Sequence, residues 1–342
     1  MHPTLLDASQ KIGGTALNFV LVLPAALTAL VASYWVAGVQ SRRFPGMGIS
    51  GIDIHKLDRP VRAEMGGIAI LVGLTAGSAI YLVSSELGGG LWFAFGAVFS
   101  TIAFTGLVGV ADDRLVLSQR LKPFLIVAAS APIMYYLLGR SSVFIPTIGS
   151  VNLGLLYPLV AVPLAETASA NFANLLAGFN GLEAGCASIS LGTMSLIAYI
   201  TGQPSTAAFG IVITFAFLGF LRQNWYPSKI FPGDTGTLVA GSALAAMGLS
   251  AGLEFQAIIL SVPAAMDFTL KVMHRHPFKQ RSVFGNTKIR PDGTLMPPDY
   301  PAVVHAFMRV SPVNEKGLVS SVLVMQALYA GIALAVTLLF YR

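Results

Sequence analysis

Apolar residues run along this chain in ten blocks, at 16–38, 67–84, 91–111, 121–138, 154–176, 186–200, 207–221, 236–251, 255–273 and 317–341, and charge, glycine and proline gather between them. A helix of roughly 20 apolar residues spans the hydrocarbon of a bilayer. The pattern therefore predicts an all-α polytopic membrane protein of about ten transmembrane helices. It forms one integral-membrane domain over 1–342, with a long loop at 274–316 inside it. Pro158, Pro163 and Pro263 fall within apolar blocks, where kinks are tolerated.

The connections alternate in character. Those at 39–66, 112–120, 177–185, 222–235 and 274–316, with Lys122 and Lys271 beside them, account for the lysines and arginines apart from Lys11, Arg140 and Arg342. Cytoplasmic loops carry the excess of basic residues, so this side faces the cytoplasm and both termini lie outside. The opposite connections, such as 84–90 and 141–152, are short or bland. Composition agrees with the hydropathy: 55% of the 342 residues are hydrophobic and 11% charged, and the mean hydropathy is +0.73. A soluble domain carries about a quarter charged residues. The single cysteine, Cys186, excludes an internal disulfide and reads as a small buried apolar residue. The first block is too long for a cleaved leader and reads as a retained helix. No internal repeat stands out, and no nucleic-acid partner is expected.

The polar motifs concentrate on the basic side, which suits an enzyme facing the cytoplasm. Asp112-Asp113 closes the third block, and adjacent carboxylates repel unless a cation offsets them. A divalent ion or Arg114 would do so; the alternative is a pair of solvated charges at a helix end. Asp234 follows the turn residues Pro232-Gly233 and precedes a helix, beside free backbone N–H groups. A carboxylate, the amide oxygen of Asn174 and a pyrophosphate make a sensible Mg²⁺ shell. Asn171 and Asn174 read equally as hydrogen-bonding residues between helices. Lys122 and Lys56 are candidate phosphate contacts, or interfacial lysines that only set topology. His274-Arg275-His276-Pro277 opens the basic loop, where it would bind a sugar nucleotide or meet anionic lipid headgroups.

Six ordered segments together resemble the polyprenyl-phosphate HexNAc-1-phosphate transferases. They are Gly51-Ile52-Asp53-Ile54-His55-Lys56, Glu64-Met65-Gly66-Gly67, Asp112-Asp113 with Lys122, the stretch 171–185, Phe231-Pro232-Gly233-Asp234-Thr235-Gly236, and His274-Arg275-His276-Pro277. The likeness is greatest to the archaeal and eukaryotic enzymes that act on UDP-GlcNAc and dolichyl phosphate. It implies a ten-helix, usually dimeric protein of the cell membrane. The implied reaction is Mg²⁺- or Mn²⁺-dependent transfer of GlcNAc-1-phosphate from UDP-GlcNAc to a polyprenyl phosphate, releasing UMP, as the first membrane step of a glycan such as an N-glycan. By the same resemblance, Asn174 and Asp234 correspond to metal ligands, Asp112 and Asp113 to the acidic pair, and Lys122 to a phosphate contact. Asn180 resembles a uracil-recognising position, with Gly178 admitting the base. Lys56, Glu64, Glu183, His274, Arg275 and His276 complete the substrate-binding set. Met273 stands where eukaryotic relatives have another arginine. The longer histidine cluster of the MurNAc-pentapeptide branch is lacking, which disfavours that donor. A related transferase using another UDP-HexNAc and undecaprenyl phosphate is the alternative.

In such a reaction the lipid phosphate attacks an anionic pyrophosphate, so charge neutralisation is the main demand. Direct attack is preferred to a covalent phosphosugar intermediate because the acceptor is already nucleophilic. Asp113 is the better candidate than Asp112 for a role in chemistry. Helical geometry carries Lys122 nearly to the opposite face, unless a turn near Ser118 brings it back. Glu166 and Asp267, within apolar blocks, read as helix-interface or supporting residues. A secondary transporter would explain intramembrane acids but not motifs confined to one edge. A lipid-binding protein would leave Asp112, Asp113, Asn174 and Asp234 unrelated.

Overall fold

The computed structural model describes residues 19–84, 89–118, 120–176, 178–274 and 287–341. Its helices are α1 Phe19–Arg43, α2 Gly67–Ser84, α3 Gly89–Leu115, α4 Leu121–Ala129, α5 Ala131–Tyr136, α6 Val162–Leu175, α7 Leu182–Ile200, α8 Pro204–Asn224, α9 Gly233–Ala251, α10 Glu254–His274, α11 Val303–Val310 and α12 Glu315–Phe340. Helix falls on each of the ten apolar blocks. The fourth block breaks at Ser130, where Pro132 opens a new helix, and gives α4 and α5. The fifth begins with a wide turn at Tyr157–Ala161 before α6.

Seven of these helices, α1, α2, α3, α7, α8, α10 and α12, are long and apolar enough to cross a membrane by themselves. The chain is thus a mostly helical integral membrane protein. The expectation of an all-α chain needs correction in the connections, which among the described residues include three antiparallel hairpins. β1 Ser50–Ile52 pairs with β2 Val61–Ala63, β3 Ser142–Ile145 with β4 Gly149–Asn152, and β5 Lys288–Ile289 with β6 Leu295–Met296. A hairpin closes the hydrogen bonds of a short polar connection within itself.

α9 is the centre of the bundle. Every residue from Thr235 to Leu249 is buried, and small side chains let its neighbours touch its backbone, as membrane helices do when hydrophobicity alone gives no reason to associate. A Cβ on Gly109 of α3 would lie 2.5 Å from Thr235 Cα, and one on Gly67 of α2 would lie 2.1 Å from Gly236 N. On α9 itself, a Cβ at Gly241 would lie 2.2 Å from the Ser169 carbonyl oxygen of α6, whose hydroxyl donates to Gly241 O at 2.7 Å. The seams therefore fix α2, α3 and α6 against one helix to within a methyl group.

The described part of the 274–316 connection is a folded cap. Its Leu295, Tyr300, Val304 and Met308 pack with Phe179, Leu182 and Leu318 in a second core. Asp267 of α10 accepts from Val303 N at 2.8 Å and so holds the start of α11. Lys271, one turn on, pairs with Asp267 and donates to Leu175 O at the end of α6. At the opposite end, Arg140 binds Leu249 O at 2.9 Å and Glu254 at 2.8 Å.

Gly109→Ala should destabilise the solubilised protein by about 1–3 kcal/mol, because backbone cannot yield to the added methyl. Gly96→Ala, on the same helix but facing open space, should leave stability unchanged or raise it by up to about 1 kcal/mol. Thermal unfolding of the two variants in one detergent compares them directly.

Candidate active site

α3 ends in two carboxylates, an unfavourable place for negative charge on a helix. Asp113 escapes that penalty by reaching the N-terminus of α9. Its carboxylate accepts from Asp234 N at 2.7 Å, Thr235 N at 3.1 Å and the Thr235 hydroxyl at 2.6 Å. The first amides of α9, which have no partner inside their own helix, are thereby satisfied by a residue of another. Gly233 is required twice over here: its φ is +66°, and a Cβ would meet Asp113 Oδ2 at 2.7 Å.

Asp112 points elsewhere. One oxygen accepts from Leu117 N at 2.6 Å, and the other lies 2.7 Å from Lys122 Nζ. Lys122 also lies 3.2 Å from Asp234 Oδ2. The question of which face Lys122 takes is settled by the turn: Val116 adopts φ +55°, and the amides of Leu121 and Lys122 both donate to Ser118 O at 3.1 Å. Reversal at Ser118 returns the lysine to the carboxylates. The side chains of Asp112 and Lys122 are 8% and 11% exposed, whereas that of Asp234 is 32% exposed. Asp234 is thus the open corner of the cluster.

Glu64 stands beside this group. Burial, and after it the nearby Asp113 carboxylate, push its pKa above the usual carboxylate range. The chain from Ala63 to Gly67 runs along the segment that leads into α9, with Phe231 N donating to Ala63 O at 2.8 Å, Gly66 N to Phe231 O at 2.9 Å and Gly67 N to Pro232 O at 2.8 Å.

A second cluster holds the α6–α7 connection. Lys56 Nζ contacts Glu315, Asp53 at 3.2 Å and Asn180 Oδ1 at 3.2 Å, and lies over the Tyr226 ring at 4.3 Å. Three oxygens thus surround this lysine. Asn180, 2% exposed, accepts at Oδ1 also from Ser228 N at 2.7 Å, and donates its side-chain amide to Asp53 at 3.2 Å and its backbone N–H to Glu315 at 2.8 Å. Asn224 ties the same region together through Gly181 N and Ile230 O. His55 stacks on Phe179 with centroids 4.1 Å apart. Asp53, His55 and Glu315 are close enough to hold an ion, but the Lys56 ammonium already bridges Asp53 and Glu315.

Other expected residues are placed as follows. Asn174 is on the last turn of α6, half-buried, and Asn171 spends its amide on Thr167 O at 2.7 Å within the helix. Glu183 is buried in the first turn of α7, at an apolar cleft shared with Phe172, Cys186 and Thr237. Gly178 is exposed, and a Cβ there would meet only Glu183 Oε1 at 3.8 Å, so neither backbone nor packing demands glycine. His274 closes α10, while Arg275 and His276 lie outside the described residues. Sequence reading passed over Tyr226, Ser228 and Glu315. Glu315 in particular stands in a charged connection, and nothing in its spacing marks a partner in residues 53–56. His305 of α11 was also missed; it is buried against Tyr300 O at 3.0 Å, and that burial pushes it down to about 4.

These features define the class: an integral membrane protein with a carboxylate–lysine cluster at the charged end of its helices. Residues 95–252 match glycosyl transferase family 4. A protein of Sulfolobus acidocaldarius assigned the name UDP-N-acetylglucosamine–dolichyl-phosphate N-acetylglucosaminephosphotransferase is 32% identical over 91% of this chain and 94% of its own length. A protein of the same name from Saccharolobus solfataricus is 33% identical over 83% of this chain and 86% of its own. The phospho-N-acetylmuramoyl-pentapeptide-transferase of Shouchella clausii is 32% identical over 71% and 78%. The chain belongs to the polyprenyl-phosphate HexNAc-1-phosphate transferase family.

The geometry separates the two adjacent aspartates. Asp113→Ala should lower stability by about 1–2 kcal/mol through loss of the α9 cap, and Asp112→Asn should leave the melting temperature near that of the parent while lowering kcat. Equal melting temperatures for the two variants would contradict the assignment. Gly178→Val should fold normally and raise the KM for the nucleotide donor with a smaller change in kcat, as steady-state kinetics would show.

Proposed function

We propose that the protein transfers GlcNAc-1-phosphate from UDP-GlcNAc to a dolichyl or related polyprenyl phosphate, releasing UMP, at a site facing the cytoplasm. The observation that carries this reading furthest is Lys122 held between Asp112 and Asp234 at the open end of α9. Phosphoryl transfer between two anions needs positive charge fixed in advance, and a lysine oriented by two carboxylates costs no reorganisation when the phosphate arrives.

The donor set suits Mg²⁺ or Mn²⁺, since Asp234 presents a partly exposed carboxylate and Asn174 an amide oxygen, both hard ligands. Those two residues would hold the ion, which when bound supplies charge neutralisation at the pyrophosphate. Lys122 contributes a second positive charge to the phosphate oxygens. Asp112 orients Lys122, and Asp113 fixes the backbone that carries Asp234. An oxygen of the lipid phosphate forms the new bond to the β-phosphorus; the bond from that phosphorus to the oxygen bridging it to the α-phosphate breaks, and UMP leaves with the electron pair. No general base is needed for an acceptor that is already anionic.

The exposed Gly178 edge leaves room for the nucleoside base. Asn180 is the proposed contact to that base. His274 and the Arg275-His276 pair are proposed contacts to the sugar and pyrophosphate. The apolar cleft beside Glu183 is the proposed berth for the first isoprene units. A transporter has less support, because Glu166 and Asp267 are bound by neighbouring groups.

Purified protein given radiolabelled UDP-GlcNAc, polyprenyl phosphate and Mg²⁺ should label the lipid, and EDTA should abolish the product. Asp234→Asn should retain the fold and lose activity on the order of a hundredfold. In competition, UDP-GlcNAc should be consumed and UDP-MurNAc-pentapeptide spared; preference for the peptide-bearing donor overturns the substrate assignment, and near-normal turnover of Asp234→Asn at limiting Mg²⁺ overturns the ligand assignment.

A further inference from the structure

Two turns inside the bundle from the proposed site lies a second polar layer that the reaction does not use. Ser242 of α9 donates to Glu166 Oε2 of α6 at 2.9 Å, and its oxygen lies 3.3 Å from the Thr105 hydroxyl of α3. All three residues are fully buried, and among the described residues Glu166 Oε1 has no hydrogen-bond partner. Polar side chains deep within membrane helices are costly unless they meet one another, so this layer fixes how the helices align.

The three helices are those that carry the candidate site. Thr105 precedes Asp112 by seven residues, Glu166 precedes Asn174 by eight, and Ser242 follows Asp234 by eight. Each interval is about two helical turns, a rise on the order of 11 Å. A slip or rotation of α6 against α9 would break the Glu166–Ser242 bond and displace Asn174 from Asp234 by the same movement. The glycine seam between Gly241 and Ser169, with the Ser169 hydroxyl donating to Gly241 O, holds α6 against α9 at one level. The Glu166–Ser242 bond adds a second directional contact and, through Thr105, brings α3 into the same register.

We propose that Glu166 is a positioning residue: through Ser242 and Thr105 it sets the axial register of α3, α6 and α9, and so the separation of the residues that hold the divalent ion. This rests on the assignment of Asn174 and Asp234 as metal ligands.

The test is Mn²⁺ binding to the full-length solubilised protein with UDP-GlcNAc present, followed by the electron paramagnetic resonance signal of free Mn²⁺, with circular dichroism and size exclusion to select folded samples. Glu166→Leu should raise the Mn²⁺ Kd on the order of tenfold, the effect expected of residues that orient metal ligands from behind. Ser242→Ala, which removes one oxygen and little volume, should raise it in the same direction and guards against a Glu166→Leu chain that does not fold. Glu166→Gln, which keeps an acceptor for Ser242, should stay within about threefold of the parent. Parental Kd values in folded Glu166→Leu or Ser242→Ala would make the layer a matter of stability alone and overturn the proposal. So would a Glu166→Gln chain as weak as Glu166→Leu. Asp234→Asn separates the two levels: a parent that binds no Mn²⁺, or an Asp234→Asn chain that binds it as tightly as the parent, removes the metal assignment itself and this proposal with it.

Discussion

Three donors at the start of α9 converge on the carboxylate of Asp113, and the arrangement of the charged end follows from that contact. The carboxylate belongs to the last turn of α3, so the bond ties the end of one helix to the beginning of another. Asp112, the neighbouring residue, is then turned toward Lys122, and Asp234, whose own amide is one of the donors, is turned toward the same lysine. One structural anion thus sets the direction of two others. Loss of the cap would leave helix-end amides and a carboxylate unpaired at once, which is costlier than the absence of a favourable contact.

The bilayer explains why so much rests on so small a contact. Between membrane helices, apolar surface gives no preference for a neighbour over lipid, so position comes from close packing and from a few polar bonds. α9 shows both. Its glycines and alanines admit backbone contact along its length, and its polar bonds lie at the Asp113 cap, at Gly241 with Ser169, and at Ser242 with Glu166. The folded cap has a hydrophobic core of its own, and Phe179 and Leu182 bring the α6–α7 connection into that core.

Much of this was legible in the sequence. Helix falls on each of the ten apolar blocks within the described residues, and Asp112, Asp234 and Lys122 meet as the motifs suggested. The roles within the acidic pair were not legible, because two adjacent carboxylates look alike until a partner helix is in place; the structure gives the interior-capping position to Asp113 and the lysine to Asp112. Lys56 reads from the sequence as a candidate phosphate contact or an interfacial lysine, and the acid that pairs with it, Glu315, is 259 residues away. The hairpins escaped a reading based on hydropathy, since strands of two to four residues in polar connections carry no periodic signal. α9 shows the converse: its glycines and serines make it less apolar than helices that face lipid, although it is the most enclosed.

The central claim is that this cluster serves transfer of a phosphosugar, with bond breakage at phosphorus and not at the sugar. UDP-GlcNAc labelled with ³²P only in the β-phosphate distinguishes the two in a single turnover on polyprenyl phosphate. The account predicts that the label enters the lipid fraction and that the released nucleotide is unlabelled UMP. Label recovered in released UDP, with an unlabelled glycolipid, would contradict it.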